Sequence, residues 1–236
     1  MLSAIKNKLK ARILAGAGIT YNPHGVPFAL GKHLVERTPI VLVDVGAHEG
    51  EFTAAIERMC GVARAILIEA EPARSKALQA RFPLPDYEVI QSVVSDREGQ
   101  IELEINADDA TTSILKTKRH LSELALLEVS VHEVVTCQTR TLDSILAAGK
   151  YPQIDLLKLD IQGAELLALR GGIAAIQRTK LIWTEVSFMQ LYEEACLFHE
   201  VYDFLASHGF RLVELESGFR SPDGALLQAD ALFIRH

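Results

Sequence analysis

Ile40-Val41-Leu42-Val43-Asp44-Val45-Gly46-Ala47-His48-Glu49-Gly50 opens as a near-continuous β-branched run and breaks into a turn bounded by two glycines. An apolar run without polar alternation suits a strand buried on both faces, as the central strands of a parallel sheet are. Helical periodicity follows over residues 50–60, so the stretch reads as a first core strand, a tight turn and a crossover helix.

Downstream the rhythm repeats. Ala65–Ile68 is a second strand ending at Glu69-Ala70-Glu71-Pro72, followed by a helix over Ala73–Phe82. Tyr87–Val94 is a third strand. Ile154–Leu159 is a fourth, ending at Asp160, with a helix over Ala164–Leu169 closed by Gly171-Gly172. Leu181–Thr184 is a fifth, ending at Glu185. A helix over Leu197–His208 stops at Gly209, and strands at Arg211–Leu215 and Ala231–Ile234 lie close enough to pair as a hairpin. Gln100–Ile105 and Val129–Cys137 instead alternate apolar and polar around a polar loop, which indicates an antiparallel insertion at about residues 100–137. Thr141 or Asp143 caps the helix after it. The expected architecture is a doubly wound α/β sheet of seven core strands, the last antiparallel, carrying that insertion.

The chain has 236 residues, 49% of them hydrophobic and 23% charged, which suits one α/β domain with a sizeable core. A net charge of −7 works against broad phosphate-backbone contact, so nucleic acid is not an expected partner. Cys60, Cys137 and Cys196 are odd in number and far apart, which argues against a disulfide framework or a zinc site and for reduced core thiols. No run approaches the roughly 20 apolar residues needed to span a bilayer. The first fifteen residues set Leu2, Ile5, Leu9 and Ile13 on one stripe among Lys6, Lys8, Lys10 and Arg12, an amphipathic helix rather than a signal peptide. That helix is expected to dock on the body or on another subunit, with peripheral contact to a membrane surface as the alternative. A cytoplasmic protein is expected, with residues 1–39 forming helix and linker and 40–236 the catalytic domain.

In a doubly wound sheet, ligands bind beyond the carboxyl ends of the strands. Asp44, Glu69 and Glu71, Ser95 and Asp96, Asp160 and Glu185 fall at successive strand ends. A dinucleotide needs the GxGxxG spacing and tolerates no acidic turn, whereas Gly46 and Gly50 stand four apart with Asp44, Glu49 and Glu51 around them and no cation inside the turn. A sulfonium, an ammonium group and a ribose diol suit those acids, which points to S-adenosylmethionine. Gly46 and Gly50 are expected to let the backbone approach the ligand, His48 to help shape the cofactor loop, Asp44, Glu49, Ser95 and Asp96 to belong to the cofactor site, and Glu71 to meet the ribose, Glu69 being set aside on strand parity.

The chain also resembles the FkbM family of methyltransferases over roughly residues 40–236. Asp44 to Gly50 looks like the family's DVGAxxG signature, Glu71-Pro72 like its EP pair and Thr141-Leu142-Asp143 like its TLD. Lys158 to Glu165 resembles its K-x-D-x-E-G-x-E stretch, Ala168 to Gly172 its VLxG segment, and Ile182-Trp183-Thr184-Glu185 its strand ending in Glu. Gln162 departs from the pattern, standing where the family usually has Glu. The resemblance implies a Rossmann-like, class I methyltransferase fold and O-methylation of a hydroxyl on a small molecule or glycan.

Methyl transfer from a sulfonium rests largely on aligning the acceptor oxygen, and a base adds to it. Asp160 is the expected base or positioning group and Glu185 the second choice. The competing reading makes Asp160 a cap for the backbone of the Gln162-Gly163 turn. His132 and His199 lack an identifiable partner and read as surface or core. Asp108–Ser113 is a candidate acceptor lid. A divalent metal on Asp160 and Glu185 is disfavoured for want of a dense ligand cluster. A nucleotide-sugar or NAD-dependent enzyme, or a non-catalytic binding module of the same fold, is the alternative. A homo-oligomer is compatible with the sequence.

Overall fold

The computed structural model of the chain describes residues 28–34, 39–83, 85–106, 115, 131–147, 150–218 and 220–236. The amphipathic stretch at the N-terminus, and Asp108–Ser113, lie outside these. The elements run α1 (Phe28–Leu34), β1 (Ile40–Val45), α2 (Glu51–Cys60), β2 (Val62–Glu69), α3 (Pro72–Arg81), β3 (Tyr87–Gln91), β4 (Val93–Val94), β5 (Gly99–Asn106) and β6 (Val131–Arg140). Then come α4 (Leu142–Ile145), β7 (Ile154–Leu159), α5 (Glu165–Arg170), α6 (Ile173–Gln177), β8 (Thr179–Ser187), α7 (Phe198–Ser207), β9 (Phe210–Ser217) and β10 (Gln228–Arg235).

The main sheet has the order β3-β2-β1-β7-β8-β10-β9. Its first five strands pair in parallel, and β10 is antiparallel to both of its neighbours. The strand order reverses between β1 and β7, the place where such sheets bind ligands. Val43, Val45, Leu157, Leu159 and Ile182 pack under α5, α6 and α7 on one face. Leu42, Leu156, Trp183 and Leu232 pack under α1 and α2 on the other. Within the stretch expected to be appendage and linker, Leu30 and Leu34 of α1 are fully buried in this second cluster. Each such leucine contributes about 1.5 to 3 kcal/mol.

The third strand is shorter than expected. Pairing with β2 stops at Gln91, where Ser92 N donates to Glu69 O at 3.1 Å. Val93–Val94 then joins a second, three-stranded sheet of order β4-β6-β5, the inserted element, with β5 and β6 antiparallel. Both proposed caps are used, on different helices. Thr141 Oγ1 accepts from Ser144 N and caps α4, while the Asp143 carboxylate accepts from Ala174 N and Ala175 N and caps α6. Each cap is worth about 1 kcal/mol. The three cysteines are free and buried, and no helix among the described residues is long and apolar enough to cross a membrane.

Candidate active site

Side chains alternate faces along a strand, so Asp44, Lys158 and Glu185, each two residues beyond Leu42, Leu156 and Trp183, point toward the α1 and α2 side. Asp230, two residues before Leu232 on the antiparallel β10, does the same. The register sets Asp44 beside Lys158 and Lys158 beside Trp183. At the edge, Asp230 stands opposite Glu185, with Asp160 at the end of β7.

Lys158 is the hub. Its Nζ lies 3.4 Å from Asp44 Oδ1 and 3.5 Å from Asp160 Oδ2, and donates to Gly46 O at 2.7 Å. Burial works against its charge, but Asp44 and Asp160 overcome that and hold its pKa above the ordinary lysine value. Asp44 is fully buried and also accepts from Thr53 Oγ1 at 2.7 Å, which ties α2 to β1. It lies beneath the turn rather than on its surface.

Gly46 N and Ala47 N both donate to Ile68 O, pinning the turn after β1 to β2. Glu69 clamps the two loops together: Oε2 accepts from His48 N at 2.8 Å and Oε1 from Glu71 N at 2.9 Å. The glycines also allow close approaches within the fold. Gly46 has φ 73°, and a Cβ there would stand 1.9 Å from Asp160 O; Gly50 has φ 79°, and its Cβ would stand 2.3 Å from the Phe82 ring. They admit the loop after β7 and the end of α3. His48 takes φ 52° and brings Nδ1 to 3.6 Å from the Glu51 carboxylate. Glu49 is exposed, and its carbonyl accepts from Arg81. Cations therefore reach the turn from β7 and α3, although it contains none.

Glu71 is the N-cap residue of α3 and pairs with Arg74 at 3.0 Å. The parity argument against Glu69 fails because residues two apart share a face of a strand, and β2 in any case ends at Glu69. Ser95 and Asp96 do not follow the third core strand. They follow β4, with Ser95 N bonded to Arg140 O and its carbonyl packed on Gly171 at the carboxyl end of α5, the end away from Glu165.

On the other side, Asp160 keeps 42% of its side chain exposed. It does not cap the following turn: Glu165 Oε1 does, accepting from Ile161 N at 2.9 Å and Gly163 N at 3.2 Å. Burial pushes the Glu165 carboxyl up to about 7. Burial, then Asp160, Glu165 and Asp230, hold Glu185 well above the usual carboxylate range, and Gln228 Nε2 donates to it at 2.7 Å. Burial and Asp160 push Asp230 up to about 7. Among the described residues the non-glycine residues with positive φ are His48, Gln162 and Glu194, all in loops that follow core strands of this edge. His199 is exposed on α7, and the side chain of His132 lies outside the described residues. No three His, Cys, Asp or Glu side chains among the described residues are arranged to hold a metal ion.

Asp230 and Gln228 were not singled out from sequence, Lys158 and Glu165 entered only as part of a motif, and Glu69 was considered and set aside. For Lys158 a signal existed, since a lysine inside Ile154–Leu159 must find counter-charge if that run is buried. Asp230 and Gln228 precede an apolar run on a strand whose partner only the topology supplies.

Comparison with known proteins places this geometry. The profile of a family described as "Methyltransferase FkbM domain" matches residues 44–212. The chain is 30% identical over 188 residues to the 2-O-methyltransferase NoeI of Sinorhizobium fredii, covering 76% of each. Among solved structures it is similar to the methyltransferase FkbM of Methylobacillus flagellatus, with a TM-score of 0.52 at 14% identity over 83% of this chain. It spans 43% of the length of that protein, a likeness of fold alone.

Proposed function

We propose, from the premise that this chain belongs to the methyltransferase FkbM domain family, that it is an S-adenosylmethionine-dependent O-methyltransferase acting on a hydroxyl of a small molecule or glycan. The observation that carries the reading is the rung Asp160, Glu185 and Asp230 at the carboxyl edge of the sheet. Asp160 in it is open to solvent and spared from capping its own turn. The similarity to a 2-O-methyltransferase supports a hydroxyl as the acceptor group.

The residues present fit the cofactor. Lys158, the buried cation of the edge among the described residues, is neutralised by Asp44 and Asp160, which leaves an acidic surface suited to a sulfonium and an ammonium group. S-adenosylmethionine, when bound, supplies a methyl group on a good leaving group. Gly46, His48, Glu49 and Gly50 would line its site, Glu71 would accept from ribose hydroxyls, and Asp44 acts from beneath by holding Lys158 under the turn. Asp160 orients the acceptor hydroxyl, a positioning effect of the kind that supplies up to roughly 7 to 11 kcal/mol. Glu185 takes the proton that the acceptor oxygen loses, its affinity for protons raised toward the working pH.

Calorimetric titration with S-adenosylmethionine, S-adenosylhomocysteine and NAD tests the cofactor. The two sulfur nucleosides are expected to bind and NAD is not; binding of neither sulfur nucleoside would overturn the reading. An S-adenosylhomocysteine release assay over sugars, glycolipids and polyketide-like alcohols then identifies the acceptor. With that acceptor, kcat should rise with pH along a limb above the ordinary carboxylate range, because the base works only once Glu185 has ionised. Glu185→Gln should remove that limb and lower kcat by about 100-fold. The same limb in the variant would transfer the role to another group.

A further inference from the structure

We infer that Gln162 and Tyr192 are positioning residues for Asp160: the Tyr192 hydroxyl sets the amide of Gln162, and that amide sets the carboxylate. The inference rests on the role given to Asp160 above. Gln162 Nε2 donates to Asp160 Oδ1 at 3.0 Å, and Tyr192 Oη donates to Gln162 Oε1 at 2.9 Å. The other Asp160 oxygen lies 3.5 Å from Lys158 Nζ, so both oxygens are placed. Tyr192 is fixed by its packing. It is 1% exposed, belongs to a cluster with Leu191, Ala195 and Leu227, and Leu115 of the insertion packs against the same cluster.

An amide is the side chain this place needs, since it accepts on one side and donates on the other, and the two partners fix which end is which. A carboxylate of the same shape would still accept from Tyr192 but would face Asp160 with like charge. An alkyl group would do neither. Gln162 also holds φ 55°, a conformation that costs a residue with a Cβ about 1 kcal/mol, as happens where geometry serves a site. The charged groups around Asp160 are Lys158 on β7, Glu165 on α5, Glu185 on β8 and Asp230 on β10, with Asp44 of β1 beyond Lys158.

The test follows the ionisation of Asp160 by carbon-13 NMR in the full, ligand-free chain, in the native protein and in Tyr192→Phe, Gln162→Leu and Gln162→Glu. Gln162→Leu removes a donor to the ionised carboxylate, so the Asp160 midpoint should rise by about one pH unit, and Gln162→Glu should raise it further by like charge. Tyr192→Phe should move it in the same direction, although its hydroxyl meets Gln162. In turnover, Tyr192→Phe should lower kcat about tenfold while S-adenosylhomocysteine affinity stays within about twofold. An Asp160 midpoint unmoved by both Tyr192→Phe and Gln162→Leu overturns the proposal. Because the titration uses neither cofactor nor acceptor, that outcome is distinct from failure of the native protein to bind the sulfur nucleosides, which would refute the function instead.

Discussion

Lys158→Met is expected to cost about 3 to 5 kcal/mol of stability and to abolish methyl transfer, because removing one partner of a buried ion pair leaves the other charge without compensation. Asp44 is fully buried, and without Lys158 it keeps only the hydroxyl of Thr53. In a chain of this length such a loss lowers the thermal midpoint by roughly 10 °C. The variant also frees the Gly46 carbonyl and one oxygen of Asp160, so both halves of the site lose a tether. The double variant Asp44→Val with Lys158→Met separates the two effects. It removes both charges, so most of the stability should return, while turnover should not. Thermal unfolding and S-adenosylhomocysteine release measure the two quantities. A single variant that melts with the native protein would show that Asp44 does not depend on Lys158.

Gly46→Ala is expected to weaken S-adenosylhomocysteine binding about 100-fold, or roughly 2.7 kcal/mol. The added methyl meets Asp160 O at 1.9 Å, inside any allowed contact, and φ 73° is itself unfavourable for alanine. The turn cannot retreat freely, since Gly46 N and Ala47 N are bonded to Ile68 O and His48 N to Glu69. Relief must come from separating the turn from the β7 loop, which would pull apart the two halves of the proposed site. Overpacking of this kind costs a further 1 to 3 kcal/mol or so in stability. Calorimetry on the folded variant reads the change in affinity, and native affinity would show that the two loops move independently.

The parts of the fold that were legible are those in which burial and strand length coincide. β1 and β7 begin and end where their apolar runs do, because both are central and buried on both faces. β8 and β10 extend past theirs, through Thr179, Lys180, Glu185 and Ser187 on one and Gln228 on the other, since ladder hydrogen bonds continue wherever a partner strand continues. The turn at Ser92 left no mark in composition. It is made by Glu69 and by the pairing of β4 with β6, groups far along the chain. α6 was hidden for a similar reason, because its cap comes from Asp143, about thirty residues earlier. In the site, acids at strand ends were visible as such, and Asp44, Asp160 and Glu185 gather at one edge as the pattern implies. Lys158 and Asp230 act through neighbours on other strands, which single-strand periodicity does not encode.

β10 follows every other strand of the main sheet in the chain and yet lies inside it, between β8 and β9. Until residues 228–235 arrive, β9 has no strand to pair with and Glu185 lacks both Gln228 and Asp230. In a growing polypeptide the five parallel strands β3, β2, β1, β7 and β8 are therefore complete before residues 228–235 supply the last neighbours of Glu185 and join β9 to the sheet.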